Sequence, residues 1–318
     1  TNTTAIRFFI IIFINMVMIE YAYIETTNHC NLQCSFCNRH EVIGPLQHMP
    51  LQRFTRLMER LKDHPIHTAK LMGMGEPFMH PQFDKITSTF KEYFPESFLI
   101  SATNCQYTLS QAPWFVNSLK HIDMLYLSID GYQETYERFR PPSKWNKLIK
   151  FLDELSTVDR HNCRIVVNYV VNPGNVDDIE PVYHDIVLKY NLAELRLNIA
   201  QDWSQDKNMT GGYTPEQLEY LKGWDSAIQG KSEWDYDQCF WVKNGLYTTV
   251  EGRVLACCMN TGAKEFGNIF SDTIENIHGD LEFMRVKHGC ATNKPTEHCA
   301  NCSYKELVPI LKELGIHR

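Results

Sequence analysis

Between residue 20 and about residue 200, short runs rich in β-branched and aromatic residues alternate with longer stretches whose apolar positions recur every three or four residues. The short runs predict strands at Tyr21–Glu25, Ala69–Gly73, Phe98–Thr103, Met124–Ile129, Arg164–Val171 and Glu194–Ile199. The longer stretches predict helices. The first is opened by Pro50 and carries Leu51, Phe54, Leu57, Met58 and Leu61 on one face. Others fit Phe83–Tyr93, Trp114–Leu119, Trp145–Leu155, Ile179–Lys189 and Pro215–Ala227. Six strand–helix units in succession imply a parallel sheet with helices on one side. Closing part-way, they make an α/β fold, a partial (β/α)6 TIM-like barrel, in which function gathers at the C-terminal ends of the strands.

The pattern changes after that. Asn198–Gly212 is polar and ends in Gly211-Gly212, which marks a loop or linker. From Cys239 onward short strands take over, Leu246–Val250 and Val254–Cys257, joined at Glu251-Gly252 as a hairpin. A closing helix carries Leu307, Ile310, Leu311 and Leu314, and Pro309 is expected to kink it. The expected organisation is a barrel over residues 20–212 and a small α+β extension over residues 213–318. Residues 1–19 stand apart. Phe8 to Ile14 are apolar, but Asn15 and Glu20 leave the stretch short of the roughly 20 apolar residues of a membrane span. No small-residue cleavage site follows. The chain begins with Thr, so residues 1–15 read as a fragment end or a wrongly assigned start, with Met16 or Met18 the natural beginning.

Composition adds the compartment and narrows the partners. With 43 per cent hydrophobic and 22 per cent charged residues, the chain reads as an ordinary soluble globular protein. A formal net charge of −7 argues against non-specific binding of nucleic-acid phosphate. Eleven cysteines, several in short-spaced pairs, suit metal ligation in a reducing compartment better than disulfides, and the cytoplasm is expected. The thirteen histidines show no metal-type spacing and read as surface or ordinary packing.

Cys30, Cys34 and Cys37 form a Cys-x3-Cys-x2-Cys run just after the first strand. Three thiolates so close can hold three irons of a cubane cluster and leave the fourth open to a ligand that is not protein. Structural zinc, completed by His29 or His40, is the alternative for these residues. Strand two runs into Gly73-Met74-Gly75-Glu76-Pro77, where glycines let a ligand approach the backbone. Strand three ends in Thr103-Asn104-Cys105, and strand four in Leu127-Ser128-Ile129-Asp130-Gly131, which taken alone is a buried strand and a turn. Later, Cys239, Gly252 and Cys257 are spaced Cys-x12-Gly-x4-Cys, and Cys299 and Cys302 lie two residues apart. Four cysteines suit one cubane cluster or a tetrahedral zinc site. Cys258 rivals Cys257 as a ligand.

With Phe36 before its third cysteine, the run Cys-Asn-Leu-Gln-Cys-Ser-Phe-Cys resembles the signature of radical SAM enzymes, whose open iron chelates S-adenosylmethionine (AdoMet). The Gly-Glu-Pro turn, Ser-Ile-Asp-Gly and the segment Tyr132–Pro141 follow in the order of that family. The resemblance implies that Phe36 is among the cofactor-contacting residues and that the edges of Met74, Gly75 and Glu76 bind the amino group of the methionine moiety. It carries Ser128 and Asp130 onto its carboxylate and the ribose, makes Arg140 a carboxylate partner, and offers Asn168 for the ribose. Cys105 departs from the family's usual Thr-Asn-Gly and reads as a small buried residue. The later cysteines, with Phe266-Gly267-Asn268-Ile269, resemble the SPASM/twitch extension. That likeness implies a second 4Fe–4S cluster on Cys239, Cys257, Cys299 and Cys302, in the shorter twitch form, since no cysteine follows Cys302.

These resemblances imply reductive cleavage of AdoMet to a 5′-deoxyadenosyl radical that abstracts hydrogen from the substrate, with electrons from a low-potential donor such as flavodoxin or ferredoxin. The twitch form resembles that of 2-deoxy-scyllo-inosamine dehydrogenase, which oxidises a secondary alcohol on an aminocyclitol. The expected reaction is therefore a net oxidation of a small sugar- or cyclitol-like molecule. A peptide-modifying maturase is the alternative, and a non-catalytic electron-transfer or metal-stabilised binding protein a third.

Overall fold

The computed structural model describes residues 19–200, 212–228, 245–257, 265–292, 294–300 and 304–315. The expected units form in order. They are β1 (Ile19–Ile24), α1 (Leu51–Leu61), β2 (Ile66–Lys70), α2 (Phe83–Tyr93), β3 (Phe98–Thr103), α3 (Phe115–Leu119) and β4 (Met124–Ser128). A short α4 (Glu134–Phe139) then precedes α5 (Trp145–Thr157), β5 (Arg164–Val171), α6 (Ile179–Val182) and β6 (Glu194–Ile199). Helix α6 runs on as a π turn over Tyr183–Leu188, where a continuous helix was expected. The apolar stripe of α1 is buried as its spacing requires, with Phe54, Leu57, Met58 and Leu61 all inaccessible.

Strands β1 to β6 pair in parallel, each with its sequence neighbour. Side chains alternate across them. On β4, Leu125 and Leu127 join the large core under the helices, while Met124 and Tyr126 join Ile100 and Val166 in a small cluster on the opposite face. That inner face turns polar toward the strand ends, where Ser128 pairs in register with Asn168 and Asn198 Nδ2 donates to Asn168 Oδ1 at 2.8 Å.

After α7 (Pro215–Gly223) come β7 (Gly245–Thr248), β8 (Arg253–Leu255) and β9 (Glu265–Asn268). The expected hairpin is present as β7 and β8, with shorter strands. Strand β7 also pairs in parallel with β1, Ala22 opposite Leu246. One nine-stranded sheet results, ordered β6-β5-β4-β3-β2-β1-β7-β8-β9. Helices α8 (Ile274–Gly279), α9 (Leu281–Ala291) and α10 (Tyr304–Glu313) follow, with Pro309 inside α10. Among the described residues, no helix is long and apolar enough to cross a membrane. The apolar stretch within residues 1–18 lies outside the described residues.

Candidate functional site

The cysteine loop leaves β1 at its C-terminal end and is tied down by backbone from the turn after β2 and from the end of α4. The Glu76 N–H donates to His29 O at 2.7 Å, Gln33 N–H to Pro141 O at 2.6 Å, and Ser35 N–H to Phe139 O at 3.0 Å. Gly75 lies against this loop. A Cβ there would sit 2.3 Å from Thr27 O and 2.6 Å from His29 O, so only glycine lets the turn after β2 cross the loop so closely.

Cys30, Cys34 and Cys37 carry free thiols and are half-buried. Burial pushes the Cys30 thiol up to about 11, with Glu76 adding to it, and the Cys34 thiol up to about 12 against the pull of Arg140. Cys37 adds to the rise at Cys30, and Cys37 and Cys30 add to that at Cys34, so the thiols of the run lie within one another's electrostatic reach. Ligands of one zinc all lie about 2.3 Å or less from it. Among the described residues, no three Cys, His, Asp or Glu side chains converge in that way. As a donor set, three cysteines in one loop suit three irons of a cubane cluster and leave the fourth open.

Two buried donors point at the thiols. Asn104 Nδ2 lies 3.9 Å from Cys30 Sγ and donates to Asn31 Oδ1 at 2.7 Å. Arg140 Nη1 lies 3.8 Å from Cys34 Sγ, and its guanidinium sits 5.3 Å from the centre of the Phe36 ring. Hydrogen bonds to ligating sulfur are one lever on a cluster's potential. Asn104 stood in the sequence only as part of Thr103-Asn104-Cys105. Its neighbour Cys105 has φ +59, a left-handed backbone that favours glycine.

The predicted AdoMet residues line the same strand ends, but several are engaged with the protein. Glu76 Oε1 accepts from Phe78 N–H at 3.2 Å and Oε2 from Asn104 N–H at 2.7 Å, and burial pushes its carboxyl up to about 7. Asp130 is wholly buried. Its Oδ1 accepts from Val170 N–H at 2.7 Å and its Oδ2 from Arg140 Nε at 2.6 Å, with Arg140 Nη2 on the same oxygen. Burial raises the Asp130 carboxyl and the Arg140 guanidinium opposes it. Burial works against the charge of Arg140 too, but Asp130 and Cys34 outweigh it and hold that group above its ordinary value. The backbone edges of Met74 and Gly75, with half-buried Ser128 and Asn168, complete the strand-end set. At the other end of the sheet Cys257 is buried just past β8, and Cys299 lies in a helical turn at Glu297–Ala300. Cys239, Cys258 and Cys302 lie outside the described residues.

Sequence reading missed two groups because nothing local marks them. Residues 29, 48 and 80 bring three imidazoles together. His29 stacks on His48 at 4.2 Å, His80 meets His48 edge-on at 5.1 Å, and burial with both neighbours lowers His48 to about 4. The other is Glu25, 3 per cent exposed at the end of β1, whose carboxylate accepts two backbone N–H groups from different parts of the chain. Burial pushes its carboxyl from 4.5 up to about 7 against those hydrogen bonds. The fold thus favours protonated Glu25, a contribution of about 3 kcal/mol present below pH 4.5 and lost as the pH rises through 7. Glu25→Gln is expected to flatten this part of the profile, so that wild type loses more stability than the variant between pH 5.5 and 8 in guanidinium unfolding. Parallel profiles would contradict this.

Comparison with known proteins accords with this geometry. A family model described as "Radical SAM superfamily" matches residues 24–186, more than half of the chain. A second, SPASM, described as an iron–sulfur cluster-binding domain, matches residues 239–303. GTP 3′,8-cyclase of Nautilia profundicola is 26% identical over 167 residues, 51% of this chain and 50% of that protein. The chain spans about half the length of the curated relatives it matches. Its fold is similar to that of BtrN, solved with AdoMet and 2-DOIA, at a TM-score of 0.56 and 16% identity, covering 90% of this chain and 94% of that one. It is also similar to Streptococcus suis SuiB bound to its precursor peptide SuiA, at a TM-score of 0.68 and 15% identity, covering 91% and 71%. With a family model spanning the cysteine loop and the strand ends that surround it, the chain belongs to the Radical SAM superfamily and carries a SPASM domain C-terminal to that region.

Proposed function

We propose that the chain binds AdoMet across the C-terminal ends of β1 to β5 and uses it to abstract hydrogen from a small sugar- or cyclitol-like substrate in a net oxidation. The Radical SAM and SPASM domains imply a 4Fe–4S cluster, an auxiliary cluster and AdoMet. When bound, the first cluster would supply the electron for reductive cleavage of AdoMet, the chemistry by which hydrogen would be taken from the substrate. Cys30, Cys34 and Cys37 would hold it, and no fourth protein ligand is needed. The backbone edges of Met74, Gly75 and Glu76 accept from the AdoMet ammonium, and Arg140 meets its carboxylate. Ser128 and Asn168 serve the ribose, and Phe36 contacts the cofactor. Asp130 acts through Arg140, since both its oxygens are already engaged.

The observation that supports the substrate reading is the likeness to BtrN, solved with AdoMet and 2-DOIA, over 90% of this chain. The higher TM-score with SuiB favours the second reading, a peptide substrate. The test is an aminocyclitol deuterated at its carbinol carbon, incubated with anaerobically reconstituted protein, reductant and AdoMet. Deuterium in 5′-deoxyadenosine supports the first reading. Label arriving only from a deuterated peptide supports the second.

In this account residues 213–318 form the auxiliary unit, and Cys239, Cys257, Cys299 and Cys302 would hold a cluster that would pass electrons and not bind substrate. A flavodoxin or ferredoxin in a reducing cytoplasm would supply the first electron. Cys257→Ala is expected to lose the C-terminal iron and most substrate oxidation while AdoMet cleavage persists. If Cys258→Ala loses that iron and Cys257→Ala keeps it, the ligand is Cys258. If both keep it, the auxiliary assignment fails.

A further inference from the structure

Glu25 joins parts of the chain about 225 residues apart. Its Oε1 accepts from Met74 N–H at 2.7 Å, inside the turn assigned to AdoMet. Its Oε2 accepts from Val250 N–H at 3.0 Å, in the turn between β7 and β8. Its own N–H donates to Thr248 O at 2.9 Å, continuing the pairing of β1 with β7. The side chain reaches this position over Gly73. A Cβ there would lie 2.6 Å from Glu25 Cγ, so a larger residue would push the carboxylate off both partners.

The hairpin end of this link is firmly held. Arg53 Nη2 of α1 donates to Glu251 O at 2.7 Å, Asn268 Nδ2 donates to the same oxygen at 3.2 Å, and Gln47 Nε2 donates to Glu251 Oε1 at 3.1 Å. The Arg53 guanidinium lies 4.2 Å from the centre of the Phe270 ring. From this braced turn β8 runs directly to Cys257. Strand β8 and this turn are thus the covalent path from Cys257 to the Val250 N–H, and one carboxylate joins that N–H to the Met74 N–H.

We propose that Glu25 is a positioning residue that couples the hairpin leading to Cys257 to the Gly73–Pro77 turn, so that the state of the auxiliary site sets how tightly the chain holds AdoMet. This rests on the reading that the turn binds AdoMet and that Cys257 is an auxiliary ligand. Coupling of this kind is reciprocal, so AdoMet should tighten iron binding at the C-terminal site by the same factor.

The test is a double-mutant cycle. Wild type, Cys257→Ala, Glu25→Gln and the double variant are reconstituted anaerobically, and AdoMet affinity is measured by equilibrium dialysis with labelled AdoMet. Glutamine keeps the shape but can accept from only one of the two N–H groups. Cys257→Ala is expected to weaken AdoMet binding about fivefold or more in the wild-type background and to have no further effect beside Glu25→Gln. Hydrogen exchange at the Met74 and Val250 amides should also quicken in Glu25→Gln. If Glu25→Gln does not fold, Gly73→Ala, which displaces the carboxylate without changing it, takes its place in the cycle. Equal weakening by Cys257→Ala in both backgrounds would overturn the coupling while leaving the AdoMet reading intact. Wild-type protein that binds no AdoMet would overturn both.

Discussion

A protein in which Cys30, Cys34 and Cys37 are all alanine is expected to make no 5′-deoxyadenosine and to retain only the iron held by its C-terminal cysteines. Iron needs the thiolates, and alanine offers no donor. Other thiols of the barrel are poorly placed to substitute. Cys105 is fully buried on a left-handed backbone with its Sγ 3.7 Å from Thr103 O, and Cys163 is buried beside Arg164. The loop backbone should survive, because its ties to Glu76, Phe139 and Pro141 run through main-chain groups. Iron analysis and quantification of 5′-deoxyadenosine check this together. Cleavage at the wild-type rate would remove the role given to these cysteines.

Replacing Arg140 with methionine is expected to destabilise the protein by about 3–5 kcal/mol, because it leaves the wholly buried Asp130 carboxylate without its counter-ion. The same change removes the donor at Cys34 Sγ and the cation over Phe36, so AdoMet binding should weaken as well. Asp130→Asn added to Arg140→Met removes the stranded charge and should recover at least half of the lost stability without recovering AdoMet affinity. Denaturant midpoints and AdoMet dialysis on the four proteins check both halves. A loss below about 1 kcal/mol for Arg140→Met would show that the pair is not the buried, mutually dependent unit described here.

Much of the barrel was legible because its signals are local. Strands β3, β5 and β6 and helix α2 have the bounds their patterns predict, since each run is apolar on the faces it buries. Strand β2 begins three residues before its expected start. Exposed His67 beside buried Ile66 and Thr68 is ordinary alternation, but polar side chains conceal it in the sequence. At its far end the chain leaves the sheet early, because Gly73 and Gly75 carry it across Glu25 and the cysteine loop. The pairing of β7 with β1 has no local sign at all, since register between strands about 220 residues apart is decided by tertiary packing. The candidate site divides in the same way. Its motifs stand in the sequence as short strings, whereas the Glu25 link and the histidine stack exist only once distant segments meet. The pairing of Asp130 with Arg140 was hidden for a related reason, as α4 intervenes and both residues read as ligand contacts.

The central claim is that the three cysteines, the Gly73–Pro77 turn and the strand ends around them form an AdoMet-cleaving site. The most direct measurement is 5′-deoxyadenosine formed by the wild-type protein, reconstituted anaerobically with iron and sulfide and given dithionite and AdoMet, beside the triple alanine variant under the same conditions. The account predicts 5′-deoxyadenosine and methionine in equal amounts from the wild type and none from the variant. Wild-type protein with full iron content and no 5′-deoxyadenosine would contradict it.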